Sequence, residues 1–263
     1  MLSGKGPGGC GLTSTEGPTF KWLGTAGFRL EYNGRVLLID PYLTRNPDAW
    51  PHQPLTPADM KDADFIFVSH GHFDHIYDVP EIVRLSGARV YCSQVSARTL
   101  ARRGVPAGNI SVVHGGSVLE LEGFTATVTA GKHTVFDLGL VLRTLPRALP
   151  SLPAIARHGR GQPCGPVLMF TFRLGDLSVT HTGSLGVSPE GPEAARIPPT
   201  DILMPCLQGH SRICTMAALL AHAVSPRAVL PHHFDDFYPP LSMTVELEPL
   251  RAMLAKVLPG CAF

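Results

Sequence analysis

The 263-residue chain is poor in charge: Asp, Glu, Lys and Arg make up 16% of it, and 22 basic residues face 21 acidic ones. With a net charge of +1 there is no field of one sign to gather a phosphate backbone or an anionic lipid surface. Nucleic acid is therefore not expected as a main partner. Long apolar runs are lacking as well. None approaches the ~18–20 residues that span a bilayer, so no transmembrane segment is expected. Residues 1–18, rich in Gly and Ser, lack the apolar stretch of a secretion signal and read as a flexible leader to a single domain over 19–263. Cys10, Cys92, Cys164, Cys206, Cys214 and Cys261 are scattered with no CxxC pair. They read as thiols without a role, in a reducing cytoplasm. No GxSxG elbow is present and no GxGxxG follows a strand, so neither a serine nucleophile nor a nucleotide cofactor is indicated.

What the chain does have is apolar residues, at 44%, and enough length to bury a sizeable core without cross-links. Phe20–Leu23, Phe28–Tyr32 and Val36–Ile39 read as short strands of a β-meander, the last two joined by Asn33-Gly34. The continuous apolar run Asp64–Ser69 reads as a strand buried on both faces. Helices are predicted over Asp78–Leu85 and Gln94–Arg103 around a strand at Arg89–Cys92, then strands at Ile110–Val113, Val118–Leu121 and Phe124–Thr129. Val167–Leu174 and Leu177–Thr182 read as a hairpin. Ile202–Pro205, a helix near Thr215–Ala223, Ala228–Leu230 and a helix over Thr244–Val257 complete the chain. Strands followed by βα units in each half imply two mixed sheets with helices outside, an αββα sandwich of the α/β class.

The chemistry concentrates at His70-Gly71-His72-Phe73-Asp74-His75. Zinc or iron takes neutral imidazole and carboxylate donors at about 2.0–2.2 Å from a fixed backbone. Four such donors stand here in six residues, where a buried strand turns into a loop. His70 and His72 can aim at one metal while Asp74 and His75 face a second position, with Gly71 allowing the tight path. A chance HxHxDH in a chain of this composition is expected on the order of once in a thousand such chains.

HxHxDH after an apolar strand resembles the signature of the metallo-β-lactamase superfamily. Trp22–Glu31 and Leu38–Leu43 look similar to the branch that includes L-ascorbate-6-phosphate lactonase and the phospholipase D acting on N-acyl-phosphatidylethanolamine. The likeness spans about residues 20–240. It implies His70, His72 and His133 as ligands of a first metal, and Asp74, His75 and a histidine from Pro231-His232-His233-Phe234 as ligands of a second. The family pattern favours His233, with His232 as a spacer or supporting residue. It further implies Asp74 as the catalytic group and Zn2+ as the cofactor, in one or two copies, with Mn2+ or Fe2+ as alternatives.

One position departs from the family. Where most members carry Gly-Asp, whose carboxylate bridges two metals, this chain has Gly183-Ser184. A neutral hydroxyl cannot offset the repulsion of two dications about 3.5–4 Å apart. A single tight metal or a weaker second site is then expected, and His181 could compensate only if its strand bulged. Ser184, His181 and His210, with Arg212 nearby, are the candidate substrate-binding residues.

A metal with three histidines and an open position makes hydroxide at neutral pH. The expected activity is hydrolysis of a lactone, amide or phosphodiester bond in a small or medium molecule. The alternatives are an iron-dependent oxidoreductase on the same fold, or a metal-binding scaffold without catalysis. The segment 138–166, apolar and holding Pro146, Pro150, Pro153 and Pro163, reads as a lid over an apolar part of the substrate, with Arg143 or Arg147 near an anionic group, or equally as an ordinary packed loop. A homo-oligomer is left open.

Overall fold

Residues 17–148, 162–188 and 191–263 are described by the computed structural model. Most of the expected leader and the middle of the expected lid lie outside these residues. In the first half β1 (Thr19–Gly24), β2 (Gly27–Tyr32) and β3 (Arg35–Ile39) form the antiparallel meander. Asn33 and Gly34 both have positive φ, 50° and 70°, as a two-residue turn matched to strand twist requires. Beyond β3 the pairing becomes parallel through β4 (Phe65–Phe67), β5 (Arg89–Cys92) and β6 (Ile110–Val112).

The links in this half are helical: α1 (Phe73–Ile76), α2 (Val79–Ser86) and α3 (Gln94–Arg102). Gly87, with φ 73°, ends α2, and the Ser93 hydroxyl caps α3 by accepting the N–H of Ser96. The second sheet runs in the order β12-β11-β10-β9-β8-β7. Its members are β7 (Val118–Leu121), β8 (Phe124–Gly131), β9 (Val167–Leu174), β10 (Leu177–His181), β11 (Ile202–Met204) and β12 (Ala228–Val229). Among the described residues, three further helices are α4 (Leu138–Ala148), α5 (Ile213–Val224) and α6 (Glu248–Val257).

The period-2 geometry of strands decides which core each residue joins. On β3, Val36 and Leu38 face α2 and α3 in one apolar cluster, while Leu37 and Ile39 face the other sheet. On β9, Leu168, Phe170 and Phe172 fill the space between the sheets, whereas Met169 turns to the cluster under α5 and α6. Three apolar layers therefore separate four layers of structure, in the order helix, sheet, sheet, helix, as the strand order predicted.

Two expectations shift. The final helix begins at Glu248 rather than Thr244, because the Val245 N–H is taken by Phe234 O at 2.7 Å and Val245 and Leu247 pack as irregular chain against the core. The segment after His133 forms an 11-residue helix, α4, with Pro146 inside it.

Candidate metal centre

The parallel strands β3, β4 and β5, and likewise β10, β11 and β12, bring their carboxyl ends to one edge of the sandwich, where open α/β sheets characteristically bind ligands. Asp40 follows β3, His70 to His75 follow β4, His133 follows β8, and His232 and His233 follow β12. Two groups of donors meet there. One ligand atom from each of His70, His72, His133 and Cys164 lies within 4.8 Å of the others, and the same holds for Asp74, His75 and His233. The groups adjoin, since the His70 and His75 rings are 3.9 Å apart at their centroids.

Hydrogen bonds settle which nitrogen each ring offers inward. His133 Nδ1 donates to Thr134 O at 2.7 Å, which leaves Nε2 with its lone pair free. Asp40, fully buried, accepts His75 Nδ1–H at 2.8 Å, leaving His75 Nε2 to face Asp74 Oδ2 at 3.7 Å. The Ser69 hydroxyl donates to Asp40 Oδ2 at 2.5 Å, so its oxygen can only accept from His70 Nδ1, 2.9 Å away. His70 Nε2 then points towards His72 Nδ1, 3.2 Å off. One carboxylate thus orients two rings, His75 directly and His70 through Ser69, in the manner of the outer partners of metal-ligating histidines.

Burial sets the protonation states. It lowers His70 well below the ordinary imidazole range, takes His72 down to about 4 despite the opposing pull of Asp74, and lowers His133 as well. Those three are neutral and competent as ligands at pH 7. Burial pulls His75 down too, but the Asp40 and Asp74 charges outweigh it and the ring is raised. Burial would raise Asp74, yet the charge of His75 and the 3.0 Å hydrogen bond from His233 Nε2 hold its carboxyl well below the usual range. Asp74 is therefore ionised. Three neutral imidazoles, His70, His72 and His133, with an anionic carboxylate beside them fit a divalent cation.

His233 has φ 59°, unusual for a bulky residue. Its N–H is held by Thr25 O at 2.8 Å, and Thr25, also at positive φ (53°), gives its own N–H to Asp235 Oδ2 at 3.0 Å. The Arg45 guanidinium donates to the same Asp235 oxygen in a buried ion pair. Strain at His233, a candidate ligand, is thereby held by an anchor that no motif advertised.

The remaining candidates are engaged elsewhere. Ser184 is buried, and its hydroxyl oxygen accepts Thr134 N–H at 3.0 Å, which secures the turn after His133. His181, buried at the end of β10, donates from Nε2 to Ala26 O at 3.0 Å, accepts Gly183 N–H at Nδ1, and stacks on His232 with centroids 4.1 Å apart. His210 lies partly exposed, with Nδ1 accepting Arg212 N–H and standing 3.8 Å from Asp137, whose carboxylate takes the backbone and hydroxyl of Ser211. These contacts tie the 210–212 turn to the start of α4.

Two participants escaped the sequence reading. Asp40 stood in a quoted stretch without a role, although an acid at the end of a buried apolar strand was a usable signal. Cys164 was counted among thiols without a role and had no local motif to mark it; burial pushes its thiol up to about 11. The function of Gly71 also differs from the expected one. Its φ is not in the left-handed region, but a Cβ there would sit 2.2 Å from Pro163 O. The glycine is required for the close approach of the extended segment that carries Cys164, just before β9.

A profile described as the β-lactamase superfamily domain matches residues 19–233. A metal-dependent hydrolase of Carboxydothermus hydrogenoformans is 31% identical over 218 residues, covering 82% of this chain and 84% of its own. One of Pyrococcus horikoshii is 28% identical over 228 residues, covering 86% and 88%. Among solved structures, Igni18, a metallo hydrolase of Ignicoccus hospitalis, superimposes with a TM-score of 0.66 at 19% identity, over 92% of this chain and 91% of that one. The four layers, the histidines at the carboxyl edge and these likenesses agree: the chain belongs to the β-lactamase superfamily.

Proposed function

We propose that the protein is a metal-dependent hydrolase, with zinc as its metal, that cleaves a lactone, amide or phosphodiester bond in a small or medium organic molecule. The observation that carries this reading is the convergence of His70, His72 and His133 beside Asp74, His75 and His233. The names of both sequence relatives support it. A divalent cation bound there supplies Lewis acidity toward a carbonyl or phosphoryl oxygen and activates water at neutral pH.

The chain's own residues do the rest. Neutral His70, His72 and His133 hold the cation without competing protons, and Asp40 keeps the ring of His75 in its working tautomer. Ionised Asp74 takes the proton of the attacking water on a carboxylate oxygen and returns it to the leaving group. Ser184 and His181, buried and bonded inward, act by holding the His133 turn and the His232 ring, and His210, partly exposed, is the remaining candidate to touch substrate. Val135, Phe136, Leu138 and Leu142, all exposed shortly after His133, favour a substrate with an apolar part. The described cysteines are free thiols, which suits a reducing cytoplasm. No helix among the described residues is long and apolar enough to cross a membrane.

The test is elemental analysis of the purified protein, together with hydrolysis assays on a panel of lactones, amides and phosphodiesters after loading with zinc, manganese or iron. Turnover that collapses in Asp74→Asn is expected. Stoichiometric metal with no turnover of any of the three bond types would sink the hydrolase and leave a binding protein.

A further inference from the structure

Cys164 lies in the run Gly161-Gln162-Pro163-Cys164-Gly165, far in sequence from every histidine at the centre. Its neighbourhood is built to bring it there. Gly71, between two of the imidazoles, donates its N–H to Cys164 O at 2.8 Å and has no side chain to collide with Pro163 O. Gly165 turns the chain with φ 66°, and a Cβ there would lie 2.7 Å from Val95 Cβ. Leu168 N–H then joins Ser69 O at 2.8 Å. The backbone on both sides of the cysteine is thus fixed against Ser69-His70-Gly71-His72, and the sulfur falls within 4.8 Å of the ligand atoms of His70, His72 and His133. The other described cysteines lack such a setting. Cys92 and Cys206 are enclosed in apolar clusters, and Cys214 and Cys261 direct their thiols at the carbonyls of Glu246 and Ala262.

We propose that Cys164 is the fourth protein ligand of the first metal, bound as a thiolate, which completes a three-histidine, one-cysteine site. This rests on the metal reading above and refines it. On binding, the S–H bond breaks, a sulfur–metal bond forms and the proton leaves to solvent. The thiolate supplies negative charge to a centre whose Gly183-Ser184 offers no carboxylate, since the Ser184 hydroxyl is committed to Thr134. Two consequences follow. A soft sulfur donor selects zinc over manganese, the harder ion. With four protein donors the first site would leave no position for substrate, which would fall to an ion held by Asp74, His75 and His233.

The experiment uses cobalt(II) as the probe, added to the full chain after chelation. Wild-type protein is expected to give an intense thiolate-to-cobalt charge-transfer band in the near ultraviolet. X-ray absorption on the zinc-loaded form is expected to show one sulfur at about 2.3 Å per first-site ion. Cys164→Ser and Cys164→Ala should lose both signals and bind the first ion about tenfold more weakly or worse, while Cys214→Ser should keep them. The wild-type spectra decide the matter even if a variant folds poorly. Cobalt bound in a shell of nitrogen and oxygen alone, or a sulfur signal that survives Cys164→Ala, overturns the thiolate and leaves the histidine centre standing. Failure of the wild type to bind cobalt or zinc at all overturns the centre and the thiolate together.

Discussion

Asp40 accepts the Nδ1–H of His75 at 2.8 Å from inside the core, and through the Ser69 hydroxyl it also fixes His70. One buried carboxylate therefore orients a ring in each donor group. Asp40→Asn is nearly isosteric but replaces an anionic acceptor with a neutral amide. It is expected to weaken metal affinity about 10- to 100-fold, measured by competition with a chromophoric chelator, with little change in the far-ultraviolet circular dichroism. Unchanged affinity would mean that the rings are held by packing alone.

Gly71→Ala tests the approach of two chain segments. The added methyl would lie 2.2 Å from Pro163 O, and the contact is with backbone, so no side chain can rotate aside. A loss of about 1–3 kcal/mol in urea unfolding is expected, along with weaker binding of the first ion. A variant as stable as wild type would show that the 163–165 segment is free to move.

The Arg45–Asp235 pair stands behind His233. Asp235 is fully buried and Arg45 nearly so, and Asp235 also holds Thr25, whose carbonyl takes the His233 N–H. Arg45→Ala leaves a buried carboxylate without its counter-ion and should cost about 3–5 kcal/mol. Because the loss passes through Thr25 to a ligand, the second ion should dissociate before the first in a chelator titration. Simultaneous release would break that link.

Acid sensitivity should trace in part to His181. Burial is the main cause that brings its imidazole from 6.5 to about 4 in the folded chain. Between those values the unfolded chain binds a proton that the folded chain refuses, so this stability is complete above about pH 6.5 and is lost as pH falls towards 4. The metal-free His181→Phe variant should therefore have a shallower stability-against-pH slope over that window, by up to about 1.4 kcal/mol per pH unit. Parallel slopes would show that His181 is protonated in the fold.

Much of the fold was legible because apolar alternation and turn residues are local. The meander, the buried run at Asp64–Ser69 and the hairpin at Gly175-Asp176 stand where the periodicity put them, and the HxHxDH cluster named the metal chemistry from six consecutive residues. The limits were also local. The start of α6 depended on an N–H claimed by Phe234 O, and α4 includes Pro146, which residue type alone argued against.

By itself, then, the sequence determined the sandwich and the kind of donor, since both follow from residue type and short spacing. Only the tertiary structure decided that Asp40 lies behind His75, that Cys164 arrives beside Gly71, and that Ser184 serves Thr134. Each of those contacts joins residues tens of positions apart, and their separation along the chain carries no trace of their distance in space.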